Sequence, residues 1–265
     1  MQPMDLLERL ATLNPDSSKN TLRSWLEKGR VLVDGEVVKL PKYQVDPTQE
    51  ITLGQKKQFV KDIEILFEDN HLVVIFKPAG LLSVETDFDK DTCAHTILKR
   101  RYHSQRVHPV HRLDRETSGV MVFAYSELAR DGLKEQFHDH TIDREYCGIV
   151  DGKLEPTSGT WTSHLQEDAT YFVKSAPDGK LAITHYTVTG YKKQTTHLIF
   201  RLETGRKNQI RVHCKESGHP ISGDTKYGST RGGRLCLHAR KLSFTHPATK
   251  KRLSFESPVD FYSPV

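Results

Sequence analysis

Leucines at helical spacing open the chain. Leu6, Leu7, Leu10 and Leu13 fall on one face of a helix, so residues 4–13 are predicted to form a short amphipathic helix. Ser18 is a suitable cap for a second helix, and Gly29 is suited to end it. The pattern therefore predicts two short helices at the start of the chain.

A hairpin pattern follows the two helices. β-Branched residues lie on both sides of Asp34-Gly35, a dipeptide that favours the tight turn between two strands. Residues 50–53 predict one more strand, and Gln55-Lys56-Lys57-Gln58 has the polar composition of a linker. We therefore predict a small α/β domain over residues 1–58 and a second domain over residues 59–265.

The second domain shows strand and helix patterns in mixed order. They predict an α+β fold built on a mainly antiparallel or mixed sheet. The predicted helices cover residues 92–102, with Asp91 as the cap, 127–138 and 208–217. The predicted strands cover residues 63–67, 72–76, 118–124, 146–150, 183–190, 197–203, 235–244 and 252–255.

The composition argues against several classes of protein. The 265 residues contain no apolar run of about 20, the length that a membrane-spanning helix needs. The N-terminus lacks the basic start and the apolar core of a signal peptide, so a cytoplasmic protein is expected. The four cysteines are scattered, as is typical of reduced thiols, and Cys236-Leu237-His238 gives only a weak zinc signal. With no nucleotide-binding glycine loop either, neither cofactor nor metal is expected.

Positive charge is concentrated in three parts of the chain. The formal net charge is +5, and lysines and arginines cluster within residues 99–115, 206–215 and 231–241. One such cluster alone is usually a solvated face. Three clusters beside the most unusual motifs of the chain indicate a nucleic-acid partner.

Residues 111–120 form the most informative pattern. A charge-dense loop runs directly into an apolar strand, and a rigid strand is suited to hold a reactive group still. Asp114 supplies the strong nucleophile of this loop, between the positive charges of Arg112 and Arg115. His108 and His111 are either acid–base groups or loop contacts. From the residues alone, a catalytic carboxylate and a salt-bridged structural loop are equally good interpretations.

The same residues resemble a family signature. His111-Arg112-Leu113-Asp114, followed by Thr117-Ser118-Gly119, is similar to the motif of RluA-type pseudouridine synthases. That family isomerises uridine in large-subunit ribosomal RNA and in some transfer RNA. The resemblance extends from about residue 63 nearly to the C-terminus, and it implies that Asp114 is the catalytic nucleophile.

Further blocks of the same resemblance supply partners for Asp114. Residues 205–213 and the segment Arg144-Glu145-Tyr146 are similar to family blocks. They imply that Arg211 pairs with the aspartate, that Ile210 packs beside the target base and that Tyr146 stacks on the uracil. The residues predicted to contact RNA or the base are Arg112, Arg115, Thr117, Arg206, Lys207 and Ile210.

Two features modify this picture. The family usually has histidine where this chain has Asn208, and the stretch after Lys77-Pro78-Ala79-Gly80 also departs from the family pattern. The two helices and the hairpin at the N-terminus resemble the S4 RNA-binding domain of a ribosomal protein. The alternative is a capping subdomain that binds no nucleic acid.

The resemblance implies a reaction that adds no atoms. The uridine would be flipped out of its RNA, its bond from N1 to the ribose broken, and the base rejoined through C5. Attack by Asp114 on the ribose and deprotonation of the ribose both remain open, as do ribosomal and transfer RNA as targets. The expected partner is RNA, with the protein a monomer away from any membrane.

Two other classes of function compete with this hypothesis. An RNA-binding protein without activity would not need Asp114 and Arg211 as a pair. A glycosidase needs a second working carboxylate, and Glu116 is too close in sequence to Asp114 to be a good one. The pseudouridine synthase hypothesis therefore requires Asp114 and Arg211 to lie close together.

Overall fold

The chain divides into two units, Met1–Lys57 and Gln58–Val265, which we call the N-terminal and the C-terminal unit. The computed structural model describes residues 4–27, 29–54, 58–60, 63–86, 93–102, 106–259 and 261. No helix within these ranges is long and apolar enough to cross a membrane.

The N-terminal unit contains two helices and short strands. Its elements are β1 (Met4–Asp5), α1 (Leu6–Leu13), α2 (Lys19–Glu27), β2 (Val31–Val33), β3 (Glu36–Val37), β4 (Gln44–Val45) and β5 (Ile51–Leu53). Its core includes Leu6, Leu10, Leu22, Leu26 and Val31, all at most 1% exposed. The predicted helices and hairpin are confirmed, whereas Leu13, predicted on the inner face, is 49% exposed.

A groove of about 820 Å³ lies within this unit. Lys19, Arg23 and Lys42 line it together with apolar and aromatic side chains, among them Leu40 and Tyr43. Asp5 and Glu8 are also in its wall. The groove therefore combines cationic groups with a ring that is 38% exposed.

The C-terminal unit is built on one large sheet. Its strands are β6 (Gln58–Val60), β7 (Ile63–Glu68), β8 (Leu72–Lys77), β9 (His108–Pro109), β10 (Ser118–Ala124), β11 (Asp143–Asp151), β12 (Ser158–Glu167), β13 (Val173–Ser175), β14 (Lys180–Lys192), β15 (Thr195–Leu202), β16 (Leu237–Thr245) and β17 (Arg252–Glu256). Its helices are α3 (Ala94–Arg101), α4 (Glu127–His138) and α5 (Gln209–Glu216), and a 3-10 turn covers Thr225–Tyr227.

The sheet is mixed, as the sequence predicted. Its order is β13-β12-β14-β15-β11-β16-β10-β8-β7-β6, with β9 added to β10 and β17 to β16. β10 and β16 pair in parallel, with Ser118 opposite His238. β10 pairs antiparallel with β8 on its other side. The strand after the Asp114 loop is therefore fixed from both edges.

Alternation along β10 sorts its side chains onto two faces of the sheet. Met121 and Phe123 pack in one cluster with residues of α3. Val120 and Val122 pack in another with residues of α4. All seven residues of β10 are buried, so the strand is an immobile base for the loop that precedes it.

Some sequence predictions were wrong at element ends. Helix α3 is capped by Cys93, whose Sγ accepts from the backbone N–H of Thr96, and the predicted cap Asp91 lies outside the described residues. Of the predicted linker, residues 55–57 lie outside the described residues, while Gln58 belongs to β6. Strand β12 was not predicted, because its exposed and half-buried serines and threonines give no apolar alternation.

Candidate active site

A pocket in the C-terminal unit lies between the loop before β10, the beginning of β11 and the N-terminus of α5. The residues that line it are Arg112, Leu113, Asp114, Thr117, Tyr146, Leu202, Arg206, Asn208, Gln209, Ile210, Arg211 and Leu237. The structure thus brings together seven of the residues predicted for the site: Arg112, Asp114, Thr117, Tyr146, Arg206, Ile210 and Arg211.

The backbone on both sides of Asp114 is held by hydrogen bonds. The Ser83 hydroxyl donates to the carbonyl of Leu113 at 2.7 Å and accepts from the Leu113 N–H at 3.0 Å. The carbonyl of Arg115 accepts from the Gly80 N–H at 2.9 Å. It also accepts from the ammonium group of Lys77 at 3.0 Å. The nucleophile candidate therefore sits on a loop whose position is set before any substrate arrives.

Lys77 is a fully buried cation at the end of β8. Besides Arg115, its ammonium group donates to the carbonyls of Pro78 at 2.9 Å and Leu81 at 2.7 Å. Burial lowers the pKa of Lys77 to about 7, and the charges of Asp114 and Glu116 oppose that shift. Lys77 thus ties the turn after β8 to the Asp114 loop.

Helix α5 brings Arg211 to the same place. The amide of Gln209 fixes the start of this helix, because its oxygen accepts from Thr204 at 2.7 Å and its nitrogen donates to Thr184 at 2.9 Å. Arg211, one turn into the helix, has its Nη1 atom 3.4 Å from Oδ2 of Asp114. The pair predicted from the sequence is thus adjacent in space, although 97 positions separate its members.

Arg211 has a second and closer acidic partner. Its Nε and Nη2 atoms donate to the two carboxylate oxygens of Asp224 at 2.7 and 2.8 Å. This forked geometry is the strong form of an arginine–carboxylate pair. Burial disfavours the charge on Arg211, but the hydrogen bonds and charge of Asp224 outweigh it and raise the pKa of the guanidinium. Asp224 therefore fixes the direction in which Arg211 faces Asp114.

Asn208 is the other side chain that reaches Asp114. With its amide nitrogen towards the carboxylate, it donates to Oδ2 at 2.7 Å and to Oδ1 at 3.2 Å. Its amide oxygen then accepts from the hydroxyl of Tyr227 at 2.9 Å. This is the orientation that satisfies both ends of the amide, since a carboxylate only accepts.

Three further side chains shape the pocket wall. Burial raises the pKa of Tyr146 to about 12, so its ring stays uncharged. Ile210 is 4% exposed and lines the same wall. The hydroxyl of Thr117 is buried without a hydrogen-bond partner among the described residues. The pocket thus presents an aromatic ring, an aliphatic surface and one unused polar group.

Other predicted residues lie outside the pocket wall. Arg115 is exposed, and its Nε donates to the carbonyl of Gly80 at 3.1 Å. Lys207 forms an ion pair with Glu167. His111 stacks on Phe137 with the ring centroids 4.6 Å apart, and its Nε2 accepts from the N–H of Val122 at 3.0 Å. Neither His108 nor His111 is among the residues that line the pocket.

Several residues of the site were missed by sequence reasoning. Sequence reasoning gave no catalytic role to Asp224 or Tyr227, and it noted Asn208 only as a departure from the family pattern. Lys77 was seen as part of a turn. A lysine that ends an apolar strand pattern and is followed directly by Pro-Ala-Gly was the available signal for an internal anchor. Within the described parts of the chain, no group of three or more His, Cys, Asp or Glu residues is placed to hold a metal ion.

Comparison with known families agrees with this geometry. The family model for RNA pseudouridylate synthase matches residues 71–216, which hold the Asp114 loop, Tyr146 and Arg211. The S4 domain model matches residues 6–51. The N-terminal unit is therefore an S4 domain, the class that the sequence predicted.

Individual relatives extend over most of the chain. An uncharacterised RNA pseudouridine synthase of Bacillus subtilis is 34% identical over 261 residues, which cover 91% of this chain and 85% of the relative. Ribosomal large subunit pseudouridine synthase D of Vibrio parahaemolyticus is 34% identical over 281 residues, which cover 95% of this chain and 86% of the relative.

A solved structure gives the same result. Human RNA pseudouridylate synthase domain containing 4 superposes with a TM-score of 0.62 at 25% identity, over 75% of this chain and 89% of that one. The sheet, the pocket, the matched motifs and the long alignments agree, and the chain belongs to the RNA pseudouridylate synthase family.

Proposed function

We propose that this enzyme converts uridine to pseudouridine in large-subunit ribosomal RNA, with Asp114 as its nucleophile. One observation carries the proposal. The Asp114 carboxylate is 22% exposed in a pocket wall, 3.4 Å from Arg211, and Tyr146 and Ile210 line the same pocket. A carboxylate in that position can act on the ribose of a nucleotide whose base enters the pocket.

The pocket has the right surfaces for an everted uridine. Tyr146 would stack on the uracil, a contact worth on the order of 1–3 kcal/mol. Ile210 would pack against the base, and Thr117 would give its unused hydroxyl to the substrate. Arg112 and Arg206, both exposed at this pocket, would bind phosphates and so offset the cost of flipping, which is a few kcal/mol.

The chemistry starts from the charged Asp114. On one route its oxygen attacks the anomeric carbon of the ribose, and on the other it removes a ribose proton. Both routes break the bond from N1 to the ribose, let the base turn and form a bond from C5 to the ribose. C5 then loses its hydrogen to solvent as a proton, N1 gains a proton, and Asp114 is restored to its starting form. Arg211 and Asn208 hold the carboxylate for either route, because both contact its oxygens.

The choice of RNA is supported by the relatives and by the N-terminal unit. Several relatives carry the name ribosomal large subunit pseudouridine synthase D, and S4 domains bind RNA. We also propose that the enzyme acts as a monomer in the cytoplasm.

The alternative of a glycosidase is not supported by the site. Glu116 has a 52% exposed side chain, pairs with Arg115 and does not line the pocket. Asp224 is near, but both its oxygens are engaged by Arg211. A two-carboxylate mechanism therefore has no free second acid within the pocket wall as described.

The deciding experiment measures tritium release from RNA labelled at C5 of uridine. Asp114→Ala and Asp114→Asn should lower the rate by at least about a thousandfold, as expected for loss of a nucleophile. Glu116→Ala, which removes the exposed carboxylate two positions away, should keep the wild-type rate. Release at the wild-type rate from the Asp114 variants would remove Asp114 from the mechanism. No release from ribosomal RNA by the wild type would exclude the proposed target.

A further inference from the structure

We propose that Asn208 is a positioning residue: its side-chain amide fixes the Asp114 carboxylate, and the hydroxyl of Tyr227 fixes the amide. The inference rests on the proposed role of Asp114. Asn208 would act through that carboxylate and not on the RNA.

The backbone of Asn208 leaves its side chain available for the contact with Asp114. Asn208 stands at the N-cap position of α5, where an asparagine normally accepts a hydrogen bond from the first turn of its own helix. Here the side chain makes no capping bond, and the backbone is left-handed with φ of 54°. Asparagine tolerates that conformation better than most residues. The amide is thus directed away from the helix and towards the pocket.

The two ends of the amide are matched to two different partners. The nitrogen lies 2.7 and 3.2 Å from the two oxygens of Asp114, so one amide group contacts both. The oxygen accepts from Tyr227, whose own hydroxyl oxygen accepts from the N–H of Val173 at 3.3 Å. The Tyr227 proton has two acceptors in reach, the amide oxygen of Asn208 at 2.9 Å and the carbonyl of Val173 at 3.2 Å, and the shorter bond is the one to Asn208.

Tyr227, the hydrogen-bond partner of Asn208, is itself tightly packed. Tyr227 is 1% exposed, and its ring lies under the guanidinium of Arg211 at 4.9 Å. Asn208 itself is 7% exposed. The part of the chain formed by Val173, Tyr227 and Asn208 is therefore sheltered from water, where hydrogen bonds are strong and a missing partner is costly.

Asn208 contributes what Arg211 does not. The Arg211 contact with Asp114 is 3.4 Å long, and the shorter bonds of that guanidinium go to Asp224. The amide gives Asp114 its short hydrogen bond. It also carries no ionisable proton, so it holds the carboxylate in the same way over the whole working range of pH.

The test separates kcat from RNA binding. In the tritium-release assay, Asn208→Ala should lower kcat at saturating RNA by about 10- to 100-fold, the usual effect of losing a hydrogen bond to a charged group. KM and the Kd for RNA should stay within about twofold, because Asn208 is not expected to touch RNA. Asn208→Asp should lower kcat further, since two carboxylates would face each other.

A double-mutant comparison tests the role of Tyr227 and controls for misfolding. Tyr227→Phe should lower kcat several-fold in the wild type and have no further effect when Asn208 is already alanine. Equal losses in both backgrounds would show that Tyr227 does not act through Asn208. A kcat of Asn208→Ala within about threefold of wild type, or a loss found only in KM, would overturn the inference. Wild-type tritium release by Asp114→Ala would overturn both this inference and the proposed function.

Discussion

Asp114 shows how a single reactive side chain is held. The carbonyls of both its neighbours are occupied, that of Leu113 by Ser83 and that of Arg115 by Lys77 and Gly80. These partners come from the end of β8 and the segment after it, 30 to 38 positions earlier in the chain. The carboxylate therefore does not need to be ordered by the substrate, which lowers the entropy cost of reaching the transition state.

His111, three positions before Asp114, is a residue that the fold holds in its neutral form. Burial lowers the pKa of His111 to about 3, with a smaller effect from the charge of Arg144. Its Nε2 also accepts a hydrogen bond from Val122, which a proton on that atom would break. The unfolded chain binds this proton near the ordinary pKa of 6.5. Stability is therefore full above about pH 6.5 and is lost as the pH falls towards 3.

We predict that this histidine contributes to acid sensitivity. Between about pH 7.5 and about pH 5, the free energy of unfolding should fall by up to about 2 kcal/mol more in the wild type than in His111→Gln. Glutamine is the matched variant because its amide oxygen can accept from Val122 and does not titrate. Urea denaturation at the two pH values measures the difference. Parallel losses in both proteins would show that His111 is not the titrating group.

At the level of single residues, the sequence identified the residues of the candidate site better than the contacts between them. Asp114, Tyr146 and Arg211 stand in motifs that can be recognised in one dimension. The bond of Arg211 to Asp224 depends on how α5 packs against the 3-10 turn, which no local pattern encodes. The unused hydroxyl of Thr117 is likewise visible only once its burial is known.

Among the elements, β10 and β16 form the contact that places the Asp114 loop. Gly119 pairs with Ala239 in the parallel register, and the φ angle of Gly119 is +129°. A Cβ atom on Gly119 would lie 2.2 Å from the carbonyl oxygen of Ala239, and that oxygen belongs to backbone that cannot turn aside. Glycine is therefore required at this position by both conformation and space.

We predict that Gly119→Ala destabilises the protein by about 3 kcal/mol or more, because the two central strands must separate to admit the methyl group. Activity should fall with it, since the loop that carries Asp114 ends at the same strand. Urea denaturation and the tritium assay measure the two effects. Gly190→Ala is the matched control in a strand: an added Cβ there meets nothing within 4 Å, so stability should change by less than about 0.5 kcal/mol. Equal stabilities of the two variants would contradict this account of Gly119.

Predictability differed between elements for physical reasons. Helix α4 was predicted to its ends, with Leu133 facing inwards as observed. Leu128, also predicted to face inwards, is 56% exposed, and Ala129 is buried instead. Strand β12 has only one buried residue, Leu165, and is held by its pairing with β14. Such a strand is stabilised by its neighbours and leaves little apolar pattern in its own sequence.

For the whole molecule, we predict that the division into two units separates part of the RNA affinity from the chemistry. The groove of the N-terminal unit contains Lys19, Arg23 and Lys42, whereas the pocket with Asp114 lies entirely in the C-terminal unit. Cations in an RNA-binding domain contribute to affinity by releasing counterions from phosphates. Charge changes in the groove should therefore alter binding and leave the chemical step intact.

We predict that the double variant Lys19→Glu/Arg23→Glu weakens binding to ribosomal RNA by at least about tenfold and lowers the slope of log Kd against log salt by about 1–2. At saturating RNA its kcat should remain within about twofold of wild type. Filter binding over a series of salt concentrations measures the slope. Lys250→Glu/Lys251→Glu makes the same charge change at exposed positions of the C-terminal unit and should have a much smaller effect. Equal losses in the two double variants would show that the groove has no special part in RNA binding.

The doubly bound guanidinium of Arg211 has a consequence for the course of the reaction. In the proposed mechanism Asp114 would lose its negative charge on either route, by forming an ester with the sugar or by accepting its proton. A cation that had only Asp114 as counter-ion would then be stranded in a site where Arg211 is 12% exposed, at a cost of several kcal/mol. Asp224 would keep its two hydrogen bonds to Arg211 on either route. Arg211 would therefore keep a carboxylate partner while the intermediate forms. The energy of the intermediate would then include no penalty for a buried, unpaired guanidinium.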